Sequence, residues 1–144
     1  MTAFFEIHDS VLRQMSRSEH GFTLRLQAIR HELASPEMED GHDVFTQEIE
    51  LELEGATIEN KPPPMPMWLL DGFFRAEHHD GKAEDEGTGC IPATLKRAEG
   101  FRLRLEGMNE DNQEYGSIEI HGESMKLVAL SEPKFLEKFP YQSG

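Results

Sequence analysis

The sequence predicts an all-β fold, an antiparallel barrel or two-sheet sandwich of about eight to ten short strands with a short C-terminal helix. Three observations lead there. Apolar and polar residues alternate with period 2 in segment after segment. Proline, glycine and acidic clusters separate those segments. No helical pattern of ten or so residues occurs before the tail.

The elements follow in order. Phe4–Ile7 and Val11–Met15 read as strands joined by a turn at His8-Asp9-Ser10, residues whose side chains fold back onto the backbone. In 21–28, Leu24 and Leu26 point inward while Arg25 and Gln27 point out. Residues 35–41 form an acidic loop. In 47–54, Ile49, Leu51 and Leu53 share one face and Glu48, Glu50, Glu52 and Glu54 the other. Four like charges on one face repel, so this strand should lie beside at least one that carries the complement, either the one with Arg102 and Arg104 or, most simply, 21–28 with its Arg25 and Gln27.

Three successive prolines at 62–64, then Pro66, make a stiff connection, with Met65, Met67 and Trp68 covering the end of the core. Trp68-Leu69-Leu70 and Phe73-Phe74 are the densest apolar cluster, and strand alternation divides it between two faces. Asp71-Gly72 and Asp80-Gly81 read as turns, and 77–89 as a long acidic hairpin tip. Phe101–Leu105 and Ile118–His121 are further strands around a polar turn at 108–114. A faint echo links Gly21–Gln27 to Gly100–Glu106, each expected to start a strand after a turn glycine. Ser131-Glu132-Pro133 reads as a helix start, with Phe135, Leu136 and Phe139 on one face.

Charge removes several functions. The chain has 144 residues and carries 14 Lys plus Arg against 28 Asp plus Glu, a formal charge of −14. A surface that tracks phosphates needs clustered Lys and Arg, so neither nucleic acid nor an anionic membrane is an expected partner. The length suits one β domain, 1–144. A single cysteine, Cys90, excludes an intrachain disulfide and every Cys-x-x-Cys motif. The first residues lack a basic region followed by an apolar run, and no span approaches the roughly 20 apolar residues that cross a bilayer. The expected location is the cytoplasm.

Chemistry-bearing residues are scattered. The seven histidines are His8, His20, His31, His42, His78, His79 and His121. None forms the i, i+4 helical or i, i+2 strand pair typical of a metal site, and His78 and His79, being adjacent, would face opposite ways on a strand. No metal and no cofactor is expected. His8-Asp9-Ser10 has the residue types of a hydrolase triad, but consecutive residues cannot converge as nucleophile, base and orienter. What remains is a set of ligand or interface candidates: His8, His31, Trp68, Phe73, Phe74 and His121.

His8 to Leu12 (His-Asp-Ser-x-Leu), the strand running into His31, Asp71-Gly72, Ile91-Pro92, the Ile-x-Ile-x-Gly strand from Ile118 to Gly122 and the tail from Glu137 to Phe139 form a pattern along nearly the whole chain. It resembles a group of small, uncharacterised bacterial all-β proteins. Ala93-Thr94 departs from it where a second proline is expected after Ile91-Pro92, as does the acidic tip at 77–87. The resemblance implies the fold class and a bacterial cytoplasmic setting; no catalytic residue carries over.

The functional expectation is therefore a noncatalytic module that binds a small ligand or a cationic or neutral protein partner and forms a homodimer. One alternative is a small enzyme using acid-base histidines, with His8, His31, Trp68 and His121 lining a barrel mouth. Another is a homo-oligomeric scaffold with the Trp68–Phe74 cluster buried between copies.

Overall fold

A computed structural model describes residues 2–33, 42–79 and 87–139. The acidic loop expected at 35–41, the Asp80-Gly81 turn and most of the 77–89 tip lie outside these residues. Nine strands are described: β1 (Thr2–Ser18), β2 (Gly21–Leu33), β3 (His42–Glu54), β4 (Thr57–Ile58), β5 (Met67–His79), β6 (Cys90–Pro92), β7 (Arg97–Asn109), β8 (Tyr115–Ala129) and β9 (Lys134–Phe139). Six of them close an antiparallel barrel in the order β1-β2-β3-β8-β7-β5 and back to β1. The short strands extend its rims: β6 pairs with β1, β4 with β8, and β9 with β3.

The inward positions set by alternation are the core. Leu24, Leu26, Ile49, Leu51, Leu53, Phe101, Leu103, Leu105, Ile118 and Ile120 are all buried in one cluster. Each such side chain contributes about 1.5–3 kcal/mol through removal of apolar surface from water. The glutamate-bearing strand does lie beside 21–28: Arg25 is opposite Glu50, with Nε 3.3 Å from Oε1. The polar turn expected at 108–114 joins β7 to β8, and Asn109 Oδ1 accepts hydrogen bonds from the backbone N–H groups of Asp111 and Asn112.

Five local expectations are corrected. The C-terminal helix is instead strand β9, because β8 and β9 run consecutively along one edge of β3: Ile49 pairs with Ala129 and Thr46 with Lys134. Pro133, lacking an N–H, interrupts that ladder, and the Ser131 hydroxyl fills in by accepting from Glu48 N–H. Pairing on an open sheet edge, with Phe135 edge-on to Phe45, outweighs the tendency of a short isolated helix to form.

At the N-terminus, His8-Asp9-Ser10 is not a turn between two strands but a bulge inside β1, where the register to β2 shifts between Glu6 and Val11 and Asp9 has φ 70°. The buried Ser10 hydroxyl stabilises it, donating to the Glu6 carbonyl at 2.6 Å and accepting from Ile29 N–H at 3.0 Å. Asp71-Gly72 likewise lies inside β5, beside a register shift between Leu69 and Asp71. Gly72 serves close approach: a Cβ there would sit 2.2 Å from Ile7 Cγ2. Gly100 lies within β7 rather than at a strand start.

The apolar cluster divides as alternation requires. Phe74 is buried at 4% exposure and Phe73 lies on the outer side; Trp68, at 42%, is exposed and does not cover the core, a role left to Met67 with Met65 packed against it. No helix among the described residues is long and apolar enough to cross a membrane.

Candidate functional site

Two outward-facing regions gather polar groups. The first is built by the β1 bulge. On a regular strand His8 and Asp9 would point to opposite faces. The bulge brings Asp9 Oδ2 to 3.2 Å from His8 Nδ1, while Trp68 Nε1 donates to Asp9 Oδ1 at 3.2 Å. Glu6, His8 and Asp9 each place one ligand atom within 4.8 Å of the others, and among the described residues these could hold a metal ion.

Glu6 connects this group to a second one. Its Oε1 is 3.5 Å from Nε2 of His31, and His31 Nδ1 is 2.7 Å from His42 Nε2. His31 is buried at 6% exposure, its ring stacked on Phe4 with centroids 4.9 Å apart. The result is a chain from carboxylate to buried imidazole to half-buried imidazole. Burial holds the His42 pKa below its ordinary value, and the facing His31 lowers it further, against the opposing pull of Asp43 and Glu6. Cys90 pairs with Glu6 across β1 and β6, and its thiol pKa is raised first by burial and then by the Glu6 charge.

The second region is an open groove of about 660 Å³ across the outside of β4, β8, β7 and β5. Strand register explains its composition. One cross-strand rung runs Thr57, His121, Arg102, Arg75. One step of two residues along, the same register aligns Gly55, Glu123, Gly100 and Glu77. Large charged side chains thus alternate with glycines, and the Glu77 and Glu123 side chains lie over Gly100 and Gly55. Gly55 and Gly100 have φ of 59° and 62°, where an L side chain is strained. A Cβ at Gly100 would also lie 2.6 Å from Glu77 Oε2, and one at Gly55 2.6 Å from Glu123 Cδ.

The groove carries both signs of charge. Arg75 and Arg102 stand directly opposite on neighbouring strands, a like-charge pairing that costs stability unless carboxylates offset it. Arg102 Nη1 is 3.6 Å from Glu119 Oε1, and His121 Nε2 is 3.3 Å from Glu59 Oε1. Phe73 also lines the groove, its ring against Gly87.

The six sequence candidates therefore separate. His8, His31 and Trp68 come together through Glu6 and Asp9. His121 and Phe73 line the groove, and Phe74 is core. The mouth expected to join His121 to His8, His31 and Trp68 is not assembled, because two strands separate β8 from β1 in either direction round the barrel. Sequence reasoning missed Glu6, Asp9 and His42 as partners of those histidines, and Arg75 with Arg102 as a pair. One signal was readable. Extending the Arg25–Glu50 pairing along the hairpin sets His31 opposite Val44, and so diagonal to His42. A scan against protein-family models and searches of curated proteins and of solved structures return no match.

Proposed function

We propose that this chain is a noncatalytic binding module of the bacterial cytoplasm, with the groove across β4, β8, β7 and β5 as its ligand site. The register that sets charged and polar side chains of four strands side by side along one open groove carries this reading, because it presents oriented groups of both signs to a ligand. Its volume of about 660 Å³ falls in the range of about 300–1,000 Å³ usual for small-molecule sites. Among the described residues no serine or cysteine lines the groove. Amide chemical-shift mapping against a chemically diverse set of small molecules tests it. Shifts concentrated at Thr57, Arg75, Arg102 and His121 are expected; a screen in which no compound perturbs these amides refutes the reading.

A second reading, an enzyme using acid-base histidines, is favoured by one observation, the Glu6–His31–His42 chain. A carboxylate 3.5 Å from one imidazole, which in turn hydrogen-bonds another, is an arrangement that can favour an outer histidine taking a proton. Hydrolysis of an activated ester is the simplest assay. Turnover lost in H42A and reduced in E6Q supports it, whereas equal rates in wild type and H42A count against it.

A further inference from the structure

We propose that the strip of Val11, Trp68, Met108 and Tyr115 on the outside of the barrel, with the acidic turn 110–114 at its rim, docks a basic, arginine-bearing segment of a partner protein. Strand register builds the strip: Val11 lies opposite Trp68, Trp68 opposite Met108 and Met108 opposite Tyr115. Residues directly opposite on antiparallel strands share a face, and Leu12 and Met67, next to Val11 and Trp68, are buried on the other one. Four apolar or aromatic side chains therefore cross four strands in one rung. Trp68 is 42% exposed and Tyr115 64%. Their polar atoms are engaged at the ring edges, Trp68 Nε1 donating to Asp9 Oδ1 at 3.2 Å and the Tyr115 hydroxyl to Glu106 Oε2 at 2.9 Å. Those bonds hold the rings in place, and the exposed ring surface remains for a partner. The strip is separate from the groove, since Met108 and the groove's Arg102 are six residues, about 20 Å, apart along β7.

Charge selects the partner. Trp68 and Met108 share a hollow of about 360 Å³ with Asn109, Glu110 and Gln113. The turn that walls it is preformed: Asn109 N–H donates to the Glu114 carbonyl and Gln113 N–H to the Asn109 carbonyl, while the Asn109 side chain accepts from Asp111 and Asn112 N–H and donates to the Pro64 carbonyl. Glu110, Asp111 and Glu114 are all exposed on this turn, which holds no Lys or Arg. The cations on the adjoining strands face other carboxylates, Arg104 that of Glu106 and His8 that of Asp9. Lys61, exposed in the segment whose Pro63 lies against Gly116, offsets one of the three turn carboxylates at most. An aromatic surface rimmed by carboxylates suits a guanidinium, which stacks on the ring and forks onto the carboxylate. A second copy of this chain is a poor fit, because contact through the strip would bring two acidic turns together on chains that each carry −14.

Spacing adds a constraint. Trp68 and Tyr115 stand two strands apart, about 9–10 Å. In a polyproline II segment, residues three apart lie on one face and are separated by about 9 Å. Arginines at that spacing reach both rings, with the residues between them over Met108.

Acetyl-Arg-Pro-Pro-Arg-amide is the probe, titrated into the full-length protein. It has no aromatic residue and Trp68 is the chain's single tryptophan, so indole fluorescence reports binding directly. A saturable change is expected, weakened by added salt, with amide shifts centred on 108–115. The Lys-Pro-Pro-Lys analogue should bind about two- to fivefold more weakly, and so should Y115L, which keeps apolar area and loses the π face, whereas Y115F should match wild type. E110Q with E114Q should weaken the probe and flatten its salt dependence. Absence of a saturable change overturns the proposal, as does equal binding of the Glu-Pro-Pro-Glu or Leu-Pro-Pro-Leu analogue or an affinity unaltered in Y115L. Shifts centred on the glutamate face at 48–54 would overturn it by placing the peptide on the wrong surface. Indole fluorescence that varies with protein concentration in the absence of peptide would assign the strip to a second copy instead and overturn it too.

Discussion

His31 and His42 meet nitrogen to nitrogen, Nδ1 to Nε2 at 2.7 Å, a contact in which one ring must donate and the other accept. Two imidazolium rings would point N–H at N–H, so the contact requires that at least one ring stay neutral. Burial and the charge of His31 already lower the His42 pKa below 6.5. The folded pKa is thus depressed relative to the unfolded one. The stability this contributes is fully present above the unfolded value and is lost as pH falls through the folded one. Thermal midpoints should therefore decline as pH drops below 6.5, before the carboxylates titrate, and the decline should flatten in H42Q. A wild-type profile that matches H42Q through that window would show that the pair does not titrate with folding.

Ser10 is the fixed point of the β1 bulge, donating to the Glu6 carbonyl and accepting from Ile29 N–H while 1% exposed. S10A removes both bonds and leaves the Ile29 N–H without its hydroxyl partner, at a cost of about 1–3 kcal/mol. Urea denaturation measures this. Because the bulge also places Asp9, the amide shifts of His8 and the indole N–H of Trp68 should move in the same variant, as the Trp68–Asp9 bond loosens. A loss below about 0.5 kcal/mol, the usual scale of a surface substitution, would mean the bulge is held by strand pairing alone.

Much of the barrel was legible because its strands are half buried, which writes the inside and outside of each into alternate letters. Leu51 and Glu50 declare their faces without any tertiary information, and Glu50 implies its partner Arg25 through charge. The tail was not legible, since Phe135, Leu136 and Phe139 fit a helix face when taken alone. What decides them is the vacant edge of β3, a nonlocal fact. The bulges are similar: Asp9-Ser10 and Asp71-Gly72 are turn-forming pairs, and only pairing with β2 and β7 turns them into irregularities inside long strands. The groove depended on register across four strands. Gly100 and Gly55 read as punctuation until Glu77 and Glu123 are known to lie beside them.

The Arg25–Glu50 pair tests how far the glutamate face depends on its neighbour. Arg25 is 55% exposed and Glu50 17%, so solvent screens the pair and its worth is about 0.2–1 kcal/mol. R25Q should cost about that much in urea denaturation. R25E should cost more, since it sets like charges opposite each other on paired strands, and added salt should recover most of the difference. A double-mutant cycle with E50Q isolates the coupling. Equal stability of R25Q and R25E at low salt would show that Glu48, Glu50 and Glu52 are solvated independently of β2.

Cys90 reports on Glu6 from the other side of the strand. Its thiol pKa is raised above 9.0, mainly by burial and further by the Glu6 carboxylate, so little thiolate exists at neutral pH. Alkylation by iodoacetamide should therefore be slow near pH 7.5 and rise with an apparent pKa above 9.0. In E6Q the burial contribution remains and the charge is gone. The apparent pKa should move down toward 9.0 without returning fully to it, and the rate at fixed pH should increase. Because Glu6 also faces His31 at 3.5 Å, the same substitution removes the carboxylate end of the histidine chain. The two effects separate by probe: Cys90 is followed by alkylation and His31 by its ring-proton shifts. An unchanged alkylation profile in E6Q, with a shifted His31, would place the Glu6 charge on the histidine side of β1 and away from the thiol.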